Sequence, residues 1–161
     1  MAIAKRSPAG TILHEIMSQN SHNYLDHYKE EIKMSIRSAS SSRRITYLEI
    51  NQELAVHDMY MSYPIIPEVH RIAASRLRLG AHRLKIETGR WSRLPRELRL
   101  CTCGEVQTEL HALCQCPLTQ HIRDLYPYLD FTNLNSLMSN PDTMNICKFC
   151  FCVLYFFANN V

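Results

Sequence analysis

Apolar residues recur at helical spacing along most of the chain. Ile12, Leu13, Ile16 and Met17 predict a short amphipathic helix over 11–18, after a turn at Ser7-Pro8-Ala9-Gly10 and before a break at Ser18-Gln19-Asn20-Ser21. Leu25, Tyr28, Ile32 and Ile36 repeat the pattern over 24–36, and Tyr47, Leu48, Ile50 and Leu54 over 43–56, with the serine-rich run 38–42 between them as a linker or loop. Tyr63-Pro64 and Ile66-Pro67 impose extended or turn geometry. Ile72, Ala73, Arg76 and Leu79 predict a helix over 69–79, which Gly80 stops. Residues 81–86 suit a short helix or a strand, Thr88-Gly89 a turn, and Pro95 can start one helical turn within 91–100. A tight loop is expected at 101–104, then helices over 108–113 and 118–126 separated by Pro117. Residues 134–138 are ambiguous. Asn140-Pro141-Asp142 marks a helix start, and 143–157 is apolar on most sides, the pattern of a buried helix. The sum is mainly α, with a small hairpin near the cysteines.

Composition narrows the class. The chain has 161 residues, 46% of them hydrophobic, enough for one modest core. Four Gly and seven Pro exclude collagen-like or flexible-linker chains. Seven Cys cannot all pair within one chain. The opening residues lack an apolar signal segment, so an intracellular protein, nuclear or cytoplasmic and not secreted, is expected. In that setting clustered Cys and His read as metal ligands or buried thiols. The longest apolar run, 149–158, is half the roughly 20 residues needed to span a bilayer, so no membrane partner is expected.

Net charge is only +3, but it is unevenly placed. Residues 70–99 hold nine Arg and Lys against Glu87 and Glu97, so that window carries +7 and leaves −4 for the remainder. Arg76, Arg78, Arg83, Lys85, Arg90, Arg93, Arg96 and Arg99 are the candidate phosphate contacts, because guanidinium and ammonium groups bind nucleic-acid backbones strongly and with little sequence preference. The last four recur every three residues, which would line them on one side of a helical segment. Glu87, Glu97, Glu105 and Glu109 are near enough to pair with some of these cations. Trp91 could stack on a base, but a core or capping place is the expectation for it.

Cys101, Cys103, His111 and Cys116 form C-x-C-x7-H-x4-C. Thiolates and imidazole are the ligands of tetrahedral Zn²⁺, and four of them make a closed structural site. In isolated zinc modules such a site contributes about 10 kcal/mol to folding. By spacing, Cys114 competes with Cys116, because His111 and Cys114 fall on one helix face whereas an i, i+5 pair needs the helix to end. Cys147, Cys150 and Cys152 sit among Phe149, Phe151, Val153 and Leu154, and read as thiols packed in a core.

The stretches Ser75-Arg76-Leu77-Arg78-Leu79-Gly80-Ala81-His82, Ile86-Glu87-Thr88-Gly89-Arg90-Trp91, Pro95-Arg96-Glu97 and Arg99-Leu100-Cys101 resemble the C-terminal tail of LINE-type non-LTR retrotransposon reverse transcriptases. There a segment of the form RLRLG-x-H-x-L-x-IE-x-GR leads into a Cys/His knuckle ending in H-x4-C-P, here His111 and Cys116-Pro117. The resemblance is specific over 69–126, weak over 127–157 and thin before 68. It implies Cys101, Cys103, His111 and Cys116 as ligands of one structural zinc, with Cys114 outside the set, and RNA or DNA as partner. The C-x-C pair departs from the two or three intervening residues of many relatives.

The resulting expectation is a small helical domain with a CCHC zinc-knuckle-like loop. Its segments are 1–68 (a helical remnant of a polymerase thumb or linker), 69–126 (the basic segment and knuckle) and 127–161 (an apolar C-terminal helix region). No enzyme is expected. No Tyr-x-Asp-Asp or similar paired-aspartate core is present, and Asp58 and Asp124 are isolated. No G-x-S-x-G, H-E-x-x-H or Gly-rich phosphate loop occurs either. The alternatives are a scaffold whose C-terminal apolar helix docks on a protein, and a translated mobile-element remnant without a selected role.

Overall fold

The computed structural model describes residues 8–38, 42–61 and 65–160. The chain divides into two compact units, Met1–Ser40 and Ser41–Val161. The first is built on a single helix, α1 (Pro8–Ser38). The break expected at Ser18-Gln19-Asn20-Ser21 is absent. Ser, Gln and Asn are indifferent helix formers, and no Gly or Pro interrupts the stretch. Pro8 to Gly10 are helical instead of forming the expected turn, since proline is tolerated at a first helical position, where its missing N–H has no partner to lose. Ser7 lies outside the described residues. Tyr24 and Tyr28, one turn apart, are exposed and stack with centroids 6.5 Å apart.

The second unit begins with α2 (Ser42–Ile50); residues 39–41 of the serine run lie outside the described residues. The helix predicted over 43–56 ends at Ile50 because Asn51 turns its side chain onto the backbone ahead. Its Oδ1 accepts from the Ala55 N–H and its Nδ2 donates to the Ala55 carbonyl, both at 3.0 Å. Such amide–backbone pairing competes with helix continuation. A 3₁₀ turn (Asp58–Tyr60) follows, and α3 (Glu68–Arg78) starts behind Pro67 and stops, as predicted, at Gly80 with φ +58°. Tyr63-Pro64 lies outside the described residues. Residues 81–84 are a loop rather than helix or strand, and α4 (Lys85–Trp91) contains Thr88-Gly89, expected as a turn. Glycine is required there for another reason. A Cβ at Gly89 would stand 2.6 Å from Arg99 Cγ, so the bare backbone lets the Arg99 side chain cross the helix.

Leu100 and Val106 then form one antiparallel bridge, the small hairpin expected near the cysteines. Short elements follow: a π turn (His111–Gln115), a 3₁₀ turn (Pro117–Thr119), α5 (Gln120–Arg123) and α6 (Leu134–Met138), the last capped by Asn133 Oδ1 accepting from the Ser136 N–H at 2.8 Å. α7 (Thr143–Asn159) starts at Asp142, as predicted, with the Asp142 carboxylate accepting from the Asn145 N–H at 3.2 Å.

The core lies between α3 and α7, the most extensive pairing of elements, and takes Ala74 and Leu77 from one and Ile146, Phe149, Val153 and Phe157 from the other. Tyr126 meets Phe149 edge-on at 5.6 Å. Cys147 and Cys150 are buried here as packed thiols; Cys147 Sγ lies 3.9 Å from Met59 Sδ, and burial pushes the Cys147 thiol up to about 11. Within the second unit α2 packs on α6 and α3 on α7.

His57 joins the 3₁₀ turn to α6: its Nδ1 accepts from the Met59 N–H at 3.1 Å and its Nε2–H donates to the Met138 carbonyl at 2.8 Å. Burial holds its pKa below the ordinary imidazole range, outweighing the backbone bond to Met138. A lowered folded-state pKa contributes stability that is present above the unfolded value of about 6.5 and lost as pH falls through the folded one. Thermal midpoints are therefore expected to fall on acidification below about 6.5. His57→Gln, which keeps a donor for Met138 but does not titrate, should flatten that fall; an unchanged slope would assign it to other groups.

Candidate metal centre

The hairpin positions the first two ligands. Cys101 N–H donates to the Glu105 carbonyl at 2.8 Å and Gly104 N–H to the Cys101 carbonyl at 2.9 Å, closing a turn in which Gly104 takes φ +100°. That conformation is open to glycine and disfavoured for other residues, and it lets Cys103 fold back beside Cys101.

The other two ligands come from the π turn. Cys116 N–H donates to the His111 carbonyl at 2.7 Å, an i to i−5 bond. An α-helical turn would have set His111 over Cys114; the wider turn sets it over Cys116. The ligand atoms of Cys101, Cys103, His111 and Cys116 all lie within 4.8 Å of one another, and this is the one such group among the described residues. Cys114 is outside it, and burial pushes its thiol up to about 11.

The spacings suit one tetrahedral ion. Thiolates bound at about 2.3 Å to zinc stand roughly 3.8 Å apart. Cys101 and Cys116 sulfurs are 3.7 Å apart, Cys103 and Cys116 sulfurs 3.8 Å, and Cys103 Sγ is 3.1 Å from His111 Nε2. The set can hold a metal ion and is compatible with one zinc, with every tetrahedral position supplied by the chain. Burial lifts the Cys101 thiol, but hydrogen bonds with Cys103, Cys116 and Gln107 outweigh it and hold Cys101 below the ordinary thiol range. Cys116, desolvated and beside Cys101, is pushed up to about 12. Burial also lowers His111, which favours the neutral imidazole that a metal requires.

Three supporting contacts carry no cysteine spacing and escaped the sequence reading. Gln107, 1% exposed, donates from Nε2 to Cys101 Sγ at 3.6 Å and accepts at Oε1 from the Lys85 N–H at 2.6 Å, tying the site to the start of α4. His82 donates from Nε2 to Glu109 at 3.0 Å, while its Nδ1 accepts from the Leu84 N–H; this anchors the turn that carries His111. Arg123 donates to the Cys116 carbonyl at 2.7 Å, to Thr119 Oγ1 at 2.9 Å and to Gln120 Oε1 at 2.7 Å. Groups that orient metal ligands typically account for about 10–100-fold in affinity. Gln107→Leu is expected to weaken zinc by that factor in a chelator competition while leaving the fold intact.

The structure separates the eight cations. Arg76, Arg83, Lys85, Arg93 and Arg96 are exposed. Arg78 is 5% exposed, because its position falls on the face of α3 that buries Ala74 and Leu77. Arg90 pairs with buried Glu87 on α4. Arg99 donates to the Ile86 carbonyl at 2.8 Å and the Leu94 carbonyl at 2.8 and 3.0 Å, closing off the loop after α4. Arg90, Arg93, Arg96 and Arg99 therefore form no common row: α4 ends at Trp91, Arg93 takes φ +56°, and Arg99 folds back. Trp91 is 60% exposed, against the expectation of a core or capping place.

Known protein-family models, curated proteins and solved structures yield no match to this chain. Among the described residues no helix is long and apolar enough to cross a membrane.

Proposed function

We propose that this chain is a non-catalytic nucleic-acid-binding module, derived from a retrotransposon reverse-transcriptase tail and braced by one structural zinc. The observation that carries the reading is the division of labour within the basic segment. Arg78, Arg90 and Arg99 are spent inside the fold, whereas Arg76, Arg83, Lys85, Arg93 and Arg96 face solvent, Lys85 from the start of the helix that Gln107 ties to the metal cluster. Cations held outward on a braced scaffold suit phosphate contact. The family resemblance supports the same partner. Its motif residues have work in this fold: Gly80 turns the chain at positive φ, His82 holds Glu109, Glu87 holds Arg90, and Gly89 lies beneath Arg99.

The scaffold alternative draws on the apolar C-terminal helix. That helix buries Ile146, Phe149, Val153 and Phe157 within its own unit and leaves Met144 and Tyr155 as its exposed large apolar side chains.

The test is elemental analysis together with binding at graded salt. Purified protein should hold one zinc per chain and bind RNA or DNA with an affinity that falls steeply as salt rises, the logarithmic slope scaling with the phosphates neutralised. The triple variant Arg83→Glu, Arg93→Glu, Arg96→Glu should lose about 100-fold or more at low salt, on the order of 1 kcal/mol per contact. No zinc and no binding at low salt would remove the proposal. For the origin, an upstream reverse-transcriptase coding sequence next to this frame is expected, and unrelated flanking sequence would count against it.

A further inference from the structure

Three of the clefts in the second unit differ in charge. The largest of them, about 490 Å³, is lined by Glu53 and Asp58 together with Arg78, and another of about 210 Å³ by Glu49, Glu87 and Glu109 together with Arg96, so carboxylates outnumber guanidinium groups in both. The third, about 390 Å³, is lined by Arg76, Arg83 and Trp91 over an apolar wall of Leu84, Leu154 and Phe157, and no carboxylate lines it. Arg76 comes from the last turn of α3, Arg83 from the loop before α4, Trp91 from the end of α4, and the wall from Leu84 at the head of α4 and from the second half of α7.

Trp91, at the end of α4, leaves most of its indole in solvent at this cleft. A flat, exposed π face beside two unpaired guanidinium groups matches one ligand chemistry closely: an unstacked base with its flanking phosphates. Duplexes do not offer this, because their bases are already stacked on one another. Neither Arg76 nor Arg83 has a salt-bridge partner among the described residues.

We infer that the Trp91–Arg76–Arg83 cleft binds single-stranded nucleic acid, with one base stacked on Trp91 and adjacent phosphates on the two arginines. This rests on the nucleic-acid reading above and specifies its substrate as unpaired strand.

The chain has a single tryptophan, so its fluorescence reports this one position. The zinc-loaded full chain is titrated with a 15-nucleotide oligothymidylate, a blunt DNA hairpin of equal charge, heparin and poly-glutamate. Oligothymidylate is expected to quench the Trp91 emission, while the hairpin and heparin bind with little quenching. In anisotropy with labelled oligothymidylate, Trp91→Ala should weaken binding about 5- to 100-fold and Trp91→Phe far less, at an unchanged thermal midpoint. Salt-dependent binding of oligothymidylate with no quenching, or with Trp91→Ala equal to wild type, overturns the stacking site and leaves the wider reading standing. Equal quenching by the hairpin overturns the single-strand preference, and quenching by poly-glutamate alone replaces the ligand with an acidic peptide. Absence of binding by every nucleic acid at low salt overturns both readings together.

Discussion

Replacing Cys116 with Ser is expected to abolish zinc binding and to unfold the second unit. A zinc site of this kind supplies about 10 kcal/mol of folding free energy, against a total stability of about 5–15 kcal/mol for a domain. The stretch it organises has little to fall back on. Between Arg96 and Arg123 the described elements are turns and helices of three to five residues, far below the length at which a helix holds itself together in water. The hairpin has one bridge, and the π turn is an unfavoured geometry that exists here because it brings His111 and Cys116 to one point. Chelation of the wild-type protein should reproduce the Cys116→Ser result and reverse on adding zinc. Cys114→Ser is the control: its thiol lies outside the ligand group, so cobalt substitution should give the charge-transfer absorption of a three-thiolate site in Cys114→Ser and in wild type alike. Circular dichroism melting and cobalt spectra read both arms. A Cys116→Ser protein that melts like wild type, or a Cys114→Ser protein that loses the cobalt spectrum, would refute the ligand assignment.

The sequence carried some of this fold and could not carry the rest. Helix α7 was legible because a run with apolar residues on most sides and a capping Asp can only be buried, and α3 because its periodicity ends on a glycine that turns at positive φ. The four ligands were legible as chemistry, since thiols and an imidazole so close in sequence have few other common uses. Spacing alone left Cys114 and Cys116 level, because the choice depends on whether residues 111–116 form an α or a π turn, and one hydrogen bond decides that. The row of arginines was misread for a similar reason. A period of three describes a row only if the helix continues, and α4 stops at Trp91. Helix α1 was over-divided because weak helix formers look like breakers when no tertiary contact is in view. Asn51 was missed because its effect on α2 comes from a side chain folding back on its own backbone, which composition does not reveal.

Arg123 leads to the second large expected effect. Three thiolates and one imidazole around Zn²⁺ carry a net charge of −1, and that charge is set in a desolvated pocket. Arg123 is 6% exposed and bonds only to uncharged acceptors, Thr119, Gln120 and the Cys116 carbonyl, among the described residues. A buried guanidinium without a carboxylate is costly unless an anion lies near, and a zinc–thiolate cluster bound at this site would be such an anion. Its field already reaches the site, where it acts to hold His111 in the neutral form. Arg123→Met should therefore do two things. It removes the bonds that fix Cys116, costing about 3–5 kcal/mol of stability in the zinc-loaded protein. It also leaves the anionic cluster uncompensated, lowering zinc affinity by about 10–100-fold. The two effects are read separately in the zinc-loaded protein, stability by thermal melting and affinity by chelator competition. Arg123→Lys keeps the charge without the three-way fork, and should retain most of the zinc affinity while losing much of the stability. Destabilisation by Arg123→Met at a zinc affinity equal to wild type would show that Arg123 acts through its hydrogen bonds alone.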